Sequence, residues 1–233
     1  MSFLTETPLR QFRHWTPRYI YHRLGLVVYQ RRFPNAPWLT RAMVEILESW
    51  LKPTDRGIEW GSGRSTIWFA ERIGSLVSVE HNPLWYGRIS AELKAKGLEN
   101  VDYHLCEDAH EYSRLADNFS SEGFDFCFVD GEARDHCALG AISLVKPGGI
   151  LIVDNCNWYL PTPKHSLSPF SRNAEQGPYT GKWALFLDGV RGWRQVWTTN
   201  GVTDTGFWVK PAATDQPKCQ QEVFQESSSG HQT

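Results

Sequence analysis

The 233-residue chain carries 24 Lys and Arg against 26 Asp and Glu, a formal charge of −2, so no basic excess points to a nucleic-acid partner. Its 41% hydrophobic and 21% charged residues fit one globular domain with extensions, large enough to bury a core without disulfide or metal staples. Five cysteines with no CxxC pair, and a start Met-Ser-Phe-Leu-Thr-Glu-Thr without the basic-then-apolar order of a leader, lead to the expectation of a reduced, cytoplasmic protein. No apolar run approaches the ~20 residues that span a bilayer. Eleven tryptophans imply contact surfaces beyond a minimal core but identify no ligand.

Residues 1–52 read as an aromatic and basic extension. Between positions 10 and 32, Arg10, Arg13, Arg18, Arg23, Arg31 and Arg32 interleave with Phe12, Trp15, Tyr19, Tyr21 and Tyr29. This partly helical stretch is expected to cap the sheet or form a homodimer contact, with peripheral contact to an anionic membrane as the second reading. A helix follows over Thr40–Leu51, ended by Pro53 and Asp55.

The domain proper is expected over residues 53–211. Apolar runs at Gly57–Trp60, Leu76–Glu80, Val101–Leu105, Phe124–Val129 and Gly149–Val153 alternate with helical segments at Ser65–Arg72, Pro83–Lys96, Ala109–Phe119 and Arg134–Val145. Strands alternating with helices predict a doubly wound, mostly parallel α/β sheet. Beyond Asn155 the pattern breaks into a Pro-, Ser- and Gly-rich insertion over 156–182. A short helical piece at Trp183–Leu187 and a hairpin of Trp193–Thr198 and Thr205–Val209 follow. The polar tail, residues 212–233, reads as disordered.

The first strand runs into Glu59-Trp60-Gly61-Ser62-Gly63-Arg64-Ser65-Thr66. Alternate glycines let a backbone pass close under a ligand at a helix N-terminus. A dinucleotide fingerprint needs a small third residue where Thr66 stands, and Glu59 would repel a pyrophosphate but suit a cationic amino-acid group. At the end of the second strand, Glu80 of Val79-Glu80-His81 offers two oxygens to a ribose. Glu107-Asp108-Ala109 sets an acid where an adenine amino group donates. Strands four and five end in Asp130-Gly131 and Asp154-Asn155, at the edge where open α/β sheets build their sites.

The series E-x-G-x-G-x-S, S-V-E-H, E-D-A, F-D-F-x-F-V-D-G and L-V-K-P-G-G-I-L-I-V-D-N, from Gly57 to Asn155, resembles class I S-adenosylmethionine-dependent methyltransferases. The resemblance implies a seven-stranded sheet with an antiparallel last pair. It sets Glu59 and the loop Gly61, Ser62, Gly63 and Ser65 near the methionine part of the cofactor, Glu80 on the ribose, Asp108 and Ala109 near adenine, His81 against adenine, and Asp130 beside them. It also implies an acceptor pocket built from residues 1–52 and 156–182, with Trp158, Tyr159, His165, Phe170, Arg172 and Tyr179 as candidate linings for a small-molecule acceptor.

Asp130, Asp154 and Asn155 are three hard oxygen ligands at adjacent strand ends, suited to Mg²⁺ or another divalent cation that activates a hydroxyl. The V-D-G and V-D-N pair resembles metal-dependent O-methyltransferases, although their lysine three residues after the first Asp is Ala133 here. Arg134 stays protonated and cannot replace it as a base, so Asp130 and His136 stand as the catalytic candidates. Rival readings are an aminopropyltransferase, a noncatalytic scaffold and, more distantly, a nicotinamide-dependent oxidoreductase. No Ser or His arrangement supports a hydrolase triad.

Overall fold

The computed structural model describes residues 15–212; Arg10, Phe12 and Arg13 of the basic segment, and the tail from residue 213, lie outside them. Helix α1, Pro17–Arg32, starts where Thr16 Oγ1 accepts the Tyr19 amide at 3.2 Å and proline fills the first turn. Helix α2, Arg41–Trp50, starts in the same way on Thr40 and buries Met43, Val44 and Leu47.

The alternating part follows as β1 Arg56–Trp60, α3 Arg64–Ala70, β2 Ser75–Glu80, α4 Pro83–Lys96, β3 Val101–Leu105, α5 Ala109–Arg114, β4 Phe124–Val129, α6 Arg134–Leu144 and β5 Val145–Asp154. Helix α7, Gly181–Gly189, precedes β6 Arg194–Thr199 and β7 Asp204–Val209. The seven strands lie in the order β3-β2-β1-β4-β5-β7-β6. β1 to β5 pair in parallel, while β7 runs antiparallel to both β5 and β6. This is the doubly wound sheet with a terminal antiparallel pair that the sequence predicts.

The period-two alternation of strand side chains divides the core between the two faces. In β4, Phe126 and Phe128 join the layer of Met43, Leu47, Trp68 and Phe69, whereas Cys127 and Val129 join that of Ala138, Ala141, Trp183 and Phe186. Buried on both faces, the central strands read as apolar runs rather than as alternating ones.

Two elements differ from the sequence reading. β5 begins at Val145 because Val145 pairs with Phe124, with a register shift before Phe126. Lys210 also exchanges backbone hydrogen bonds with Gly148 and Gly149 at 2.9 Å each, holding the Lys-Pro-Gly-Gly stretch to the sheet. The segment Ala109–Phe119 is α-helical only to Arg114, then tightens into a 3₁₀ turn over Leu115–Asn118. The insertion after β5 is stitched to the hairpin: buried Asn157 donates to Ser168 Oγ at 2.8 Å and accepts the Asp204 amide at 3.0 Å.

Candidate functional site

The C-terminal ends of β1, β2, β4 and β5 converge on one edge of the sheet, where the loop after β1 sets the geometry. Gly61 has φ +96°, and a Cβ there would lie 2.6 Å from the Gly131 nitrogen. A Cβ on Gly131 would in turn lie 1.8 Å from the Tyr112 hydroxyl and 2.9 Å from Gly61 N. The loops after β1 and β4 are therefore in backbone contact, over a buried tyrosine that sequence reasoning did not single out. We expect Gly131→Ala to destabilise the protein by about 2 kcal/mol, as overpacking of a close-packed site does. Denaturant unfolding checks this, and Tyr112→Phe in the same chain should recover part of the loss.

Glu59 sits at the end of β1 and is fully buried. Ser78 Oγ donates to its Oε1 at 2.7 Å, while Oε2 accepts no hydrogen bond. Burial pushes its carboxyl up to about 7, against the hydroxyls of Thr66, Ser78 and Ser65. A buried carboxylate oxygen with no well-placed donor is costly until one reaches it. The cationic amino group of a bound ligand is a donor of the right sign, so Glu59 fits the methionine end of the cofactor.

Glu80 stands at the end of β2 with both oxygens engaged. Oε2 accepts the Ser62 amide at 3.0 Å and its hydroxyl at 2.7 Å, and Oε1 accepts the amides of His81 and Asn82 at 2.9 and 2.8 Å. Four contacts fill a carboxylate. Ribose hydroxyls would replace the Ser62 hydroxyl, which also bonds Tyr103 OH at 2.6 Å. His81 Nδ1 lies 3.1 Å from Glu80 Oε1, and its ring stands edge-on to Tyr112 at 5.9 Å.

Asp108 caps the helix that follows β3. Its Oδ1 caps α5 through the His110 and Glu111 amides at 2.9 and 3.0 Å, which hold its carboxyl below the usual range. Its Oδ2 takes part in neither bond, and Ala109 forms the first helical residue.

The expected metal ligands are not assembled as a ligand set. Arg134 projects its guanidinium among them. Nη2 meets Asp130 Oδ1 at 2.9 Å and the Asp130 carbonyl at 2.6 Å. Nη1 meets the Asp154 carbonyl at 2.8 Å and Asn155 Oδ1 at 2.9 Å, and Nε donates to the Gly131 carbonyl at 2.9 Å. Asp154 Oδ1 instead accepts the Thr205 hydroxyl at 2.5 Å, and Asn155 Nδ2 donates to Thr203 at 2.5 Å. Among the described residues no group of three His, Cys, Asp or Glu is placed to hold a metal ion. A divalent cation would have to displace a guanidinium bonded by all three of its nitrogens. The residues therefore do not fit the ion.

The local backbone explains how Arg134 reaches this position. Ala133 has φ +45°, so the chain turns through the left-handed region directly before α6. Asn155, with φ +51°, is a residue type that tolerates the same region, which accounts for its identity without a metal. Burial raises the Asp130 carboxyl while Arg134 pulls it back. Burial, then the charge of Asp130, pushes Asp154 up to about 8, opposed by the Thr205 hydroxyl and Arg134.

His136 does not join this cluster. Its Nδ1 lies 3.1 Å from Asp135 Oδ1, and Asp135 Oδ2 accepts the Thr180 hydroxyl at 2.9 Å. It is a half-exposed residue of the first turn of α6, paired within that turn.

A cavity of ≈ 300 Å³ opens beside the loop, its lining including Ser62 to Ser65 and Asp130 together with Pro34, Asn35, Trp38, Trp85, Arg88 and Glu92. Trp85 Nε1 donates to the Ser62 carbonyl at 2.7 Å. Arg64 lies over Trp38 at 5.4 Å and Arg88 over Trp85 at 4.9 Å. Pro34, Asn35 and Trp38 of the N-terminal segment line this cavity, and no residue of 156–182 does. Of the insertion's aromatics, Tyr159 reaches the cluster, with the Arg134 guanidinium 5.9 Å from its ring centre. Trp38 and Trp85 were missed, since nothing in their spacing separates a pocket tryptophan from a core one.

No family model matches the chain, and no curated protein does. Solved structures resembling it include a SAM-dependent methyltransferase from Aquifex aeolicus, 14% identical, covering 71% of this chain and 87% of that one, with a TM-score of 0.46. An rRNA methylase from Streptococcus thermophilus is 15% identical over 72% of this chain and 93% of its own, with a TM-score of 0.48. Precorrin 8w decarboxylase from Methanobacterium thermoautotrophicum is 16% identical over 76% and 92%, with a TM-score of 0.49. These overlaps are partial, and a functional reading has to rest on the residues at the strand ends.

Proposed function

We propose that the chain is an S-adenosylmethionine-dependent methyltransferase that modifies a hydroxyl of a small or medium-sized acceptor without a divalent cation. The observation that carries this reading is the buried carboxylate of Glu59, one oxygen unpartnered, beside a glycine loop at the carboxyl edge of a doubly wound sheet. S-adenosylmethionine supplies a methyl group on a sulfonium, which an acceptor displaces in line.

The roles divide among the residues at the strand ends. Glu59 holds the cationic amino end, Gly61 and Gly63 let the backbone approach, and Glu80 receives the ribose. Asp130 Oδ1 is committed to Arg134, leaving Oδ2 to take the proton of an acceptor hydroxyl. Arg134 sets a fixed positive charge beside the oxygen that becomes negative, the service a metal ion gives elsewhere.

A second reading, a scaffold that uses the fold without catalysis, is favoured by Glu80, whose acceptor capacity is filled by the chain's own donors. Calorimetric titration separates the two. We expect micromolar binding of S-adenosylmethionine, none of NAD⁺, and at least a tenfold loss in Glu80→Ala. A folded protein that binds neither ligand would remove the methyltransferase reading and leave the scaffold.

A further inference from the structure

Helix α1 buries no residue completely, and it exposes a stripe of apolar side chains. Ile20, Leu24 and Val28 recur every fourth position, so they form one stripe along the helix, with Tyr21 beside them. Tyr21, Leu24 and Val28 are 74%, 62% and 64% exposed. Arg18, Arg23, Arg31 and Arg32 are exposed around this stripe, and the helix contains no acidic residue. None of the four arginines forms an ion pair among the described residues; Arg32 makes only a cation–π contact with Phe33.

On the opposite side of the helix, His22 meets the β6–β7 turn. Gly201, at φ +80° in the β6–β7 turn, lies against the ring of His22 so closely that a Cβ there would be 2.3 Å from it. That turn adjoins the site, because Thr203 receives the Asn155 amide. Past its C-terminus, α1 leads into Pro34, Asn35 and Trp38, which line the cavity.

We propose that the outer face of α1 docks on an anionic membrane surface, with Ile20, Tyr21, Leu24 and Val28 entering the interface and the arginines meeting lipid phosphates. Apolar contact and positive charge on one helix face are the two components of interfacial binding. Charge complementarity selects this occupant over a second copy of the chain, since apposing two such faces brings together eight arginines and no acid on the helices. No helix among the described residues is long and apolar enough to cross a membrane, so α1 lies on the surface rather than spanning it.

The test is sedimentation of the full chain with vesicles of phosphatidylcholine alone or mixed with phosphatidylglycerol, at low and high salt. The expected result is at least tenfold stronger binding to the anionic vesicles, weakened by salt. Leu24→Glu/Val28→Glu should abolish binding, Arg23→Ser/Arg31→Ser should weaken it severalfold, and Leu185→Glu, an exposed position on α7, should leave it unchanged. Unfolding transitions would show that all variants are folded. Equal binding to both vesicle types, or undiminished binding by Leu24→Glu/Val28→Glu, would overturn the proposal. So would a wild-type dimer that this double variant dissociates, because the face would then belong to a second copy.

Discussion

Replacing Glu59 with glutamine is expected to make the ligand-free protein more stable at pH 8 and to weaken its hold on S-adenosylmethionine. Burial raises the Glu59 carboxyl to about 7 from its ordinary 4.5. A carboxyl whose proton affinity rises on folding stabilises the folded state fully below the unfolded value. That stabilisation is lost as the pH climbs from 4.5 towards 7. Glutamine has no such loss. The variant should therefore match wild type near pH 4 and exceed it by up to about 3 kcal/mol above pH 7, less whatever its new amide group forfeits. Thermal or urea unfolding across this range measures the difference. In binding, a cation selects the ionised form, so wild-type affinity should fall about tenfold between pH 8 and pH 6, while the glutamine variant stays weak and flat.

Removing the Arg134 guanidinium should do the opposite. Arg134→Ala removes the cation that pairs with Asp130 Oδ1 and bonds the Asp154 carbonyl, and losing one partner of a largely buried pair costs about 3 kcal/mol. The loss should be largest at high pH, where both carboxyls are ionised, and smaller at pH 5, where protonation relieves the repulsion. Millimolar Mg²⁺ or Mn²⁺ should restore part of the lost stability in this variant, because the oxygens of Asp130, Asp154 and Asn155 then become available. Wild type should show neither stabilisation by Mg²⁺ nor sensitivity to chelator. A wild-type melting temperature that rises with Mg²⁺ would refute the assignment of Arg134 as the resident cation.

The architecture was legible because each central strand is an apolar run ended by an acid or glycine, and crossover helices such as α4 and α5 carry their own start signals in Asn82-Pro83 and Asp108. Even α1 announces itself in Thr16-Pro17, an N-cap followed by a first-turn proline. The glycine loop was legible for the same reason, since positive φ and close backbone approach select one residue type. Side-chain roles are less legible where one residue type serves two purposes. Asp108-Ala-His-Glu111 reads as an adenine contact or as a helix cap, and the amides of His110 and Glu111 take the cap.

The Arg134 cluster was out of reach for a different reason. Asp130, Asp154 and Asn155 do gather at the strand ends, as their register requires. What fills the space between them depends on the left-handed turn at Ala133, which points a residue four positions on back at its own strand. Alanine carries no preference for that turn, so no sequence signal marks it. Likewise Tyr112, Trp38 and Trp85 acquire their roles only from tertiary contacts with Gly131, Arg64 and Ser62.

The central claim is that Glu59 meets the cationic end of S-adenosylmethionine, and proton release on binding tests it most directly. Calorimetric titration at pH 6.5 in two buffers of different ionisation enthalpy should give micromolar binding with between one half and one proton released, and Glu59→Gln should bind weakly with no release. Binding of equal strength in wild type and Glu59→Gln, with no proton exchanged in either, would contradict it.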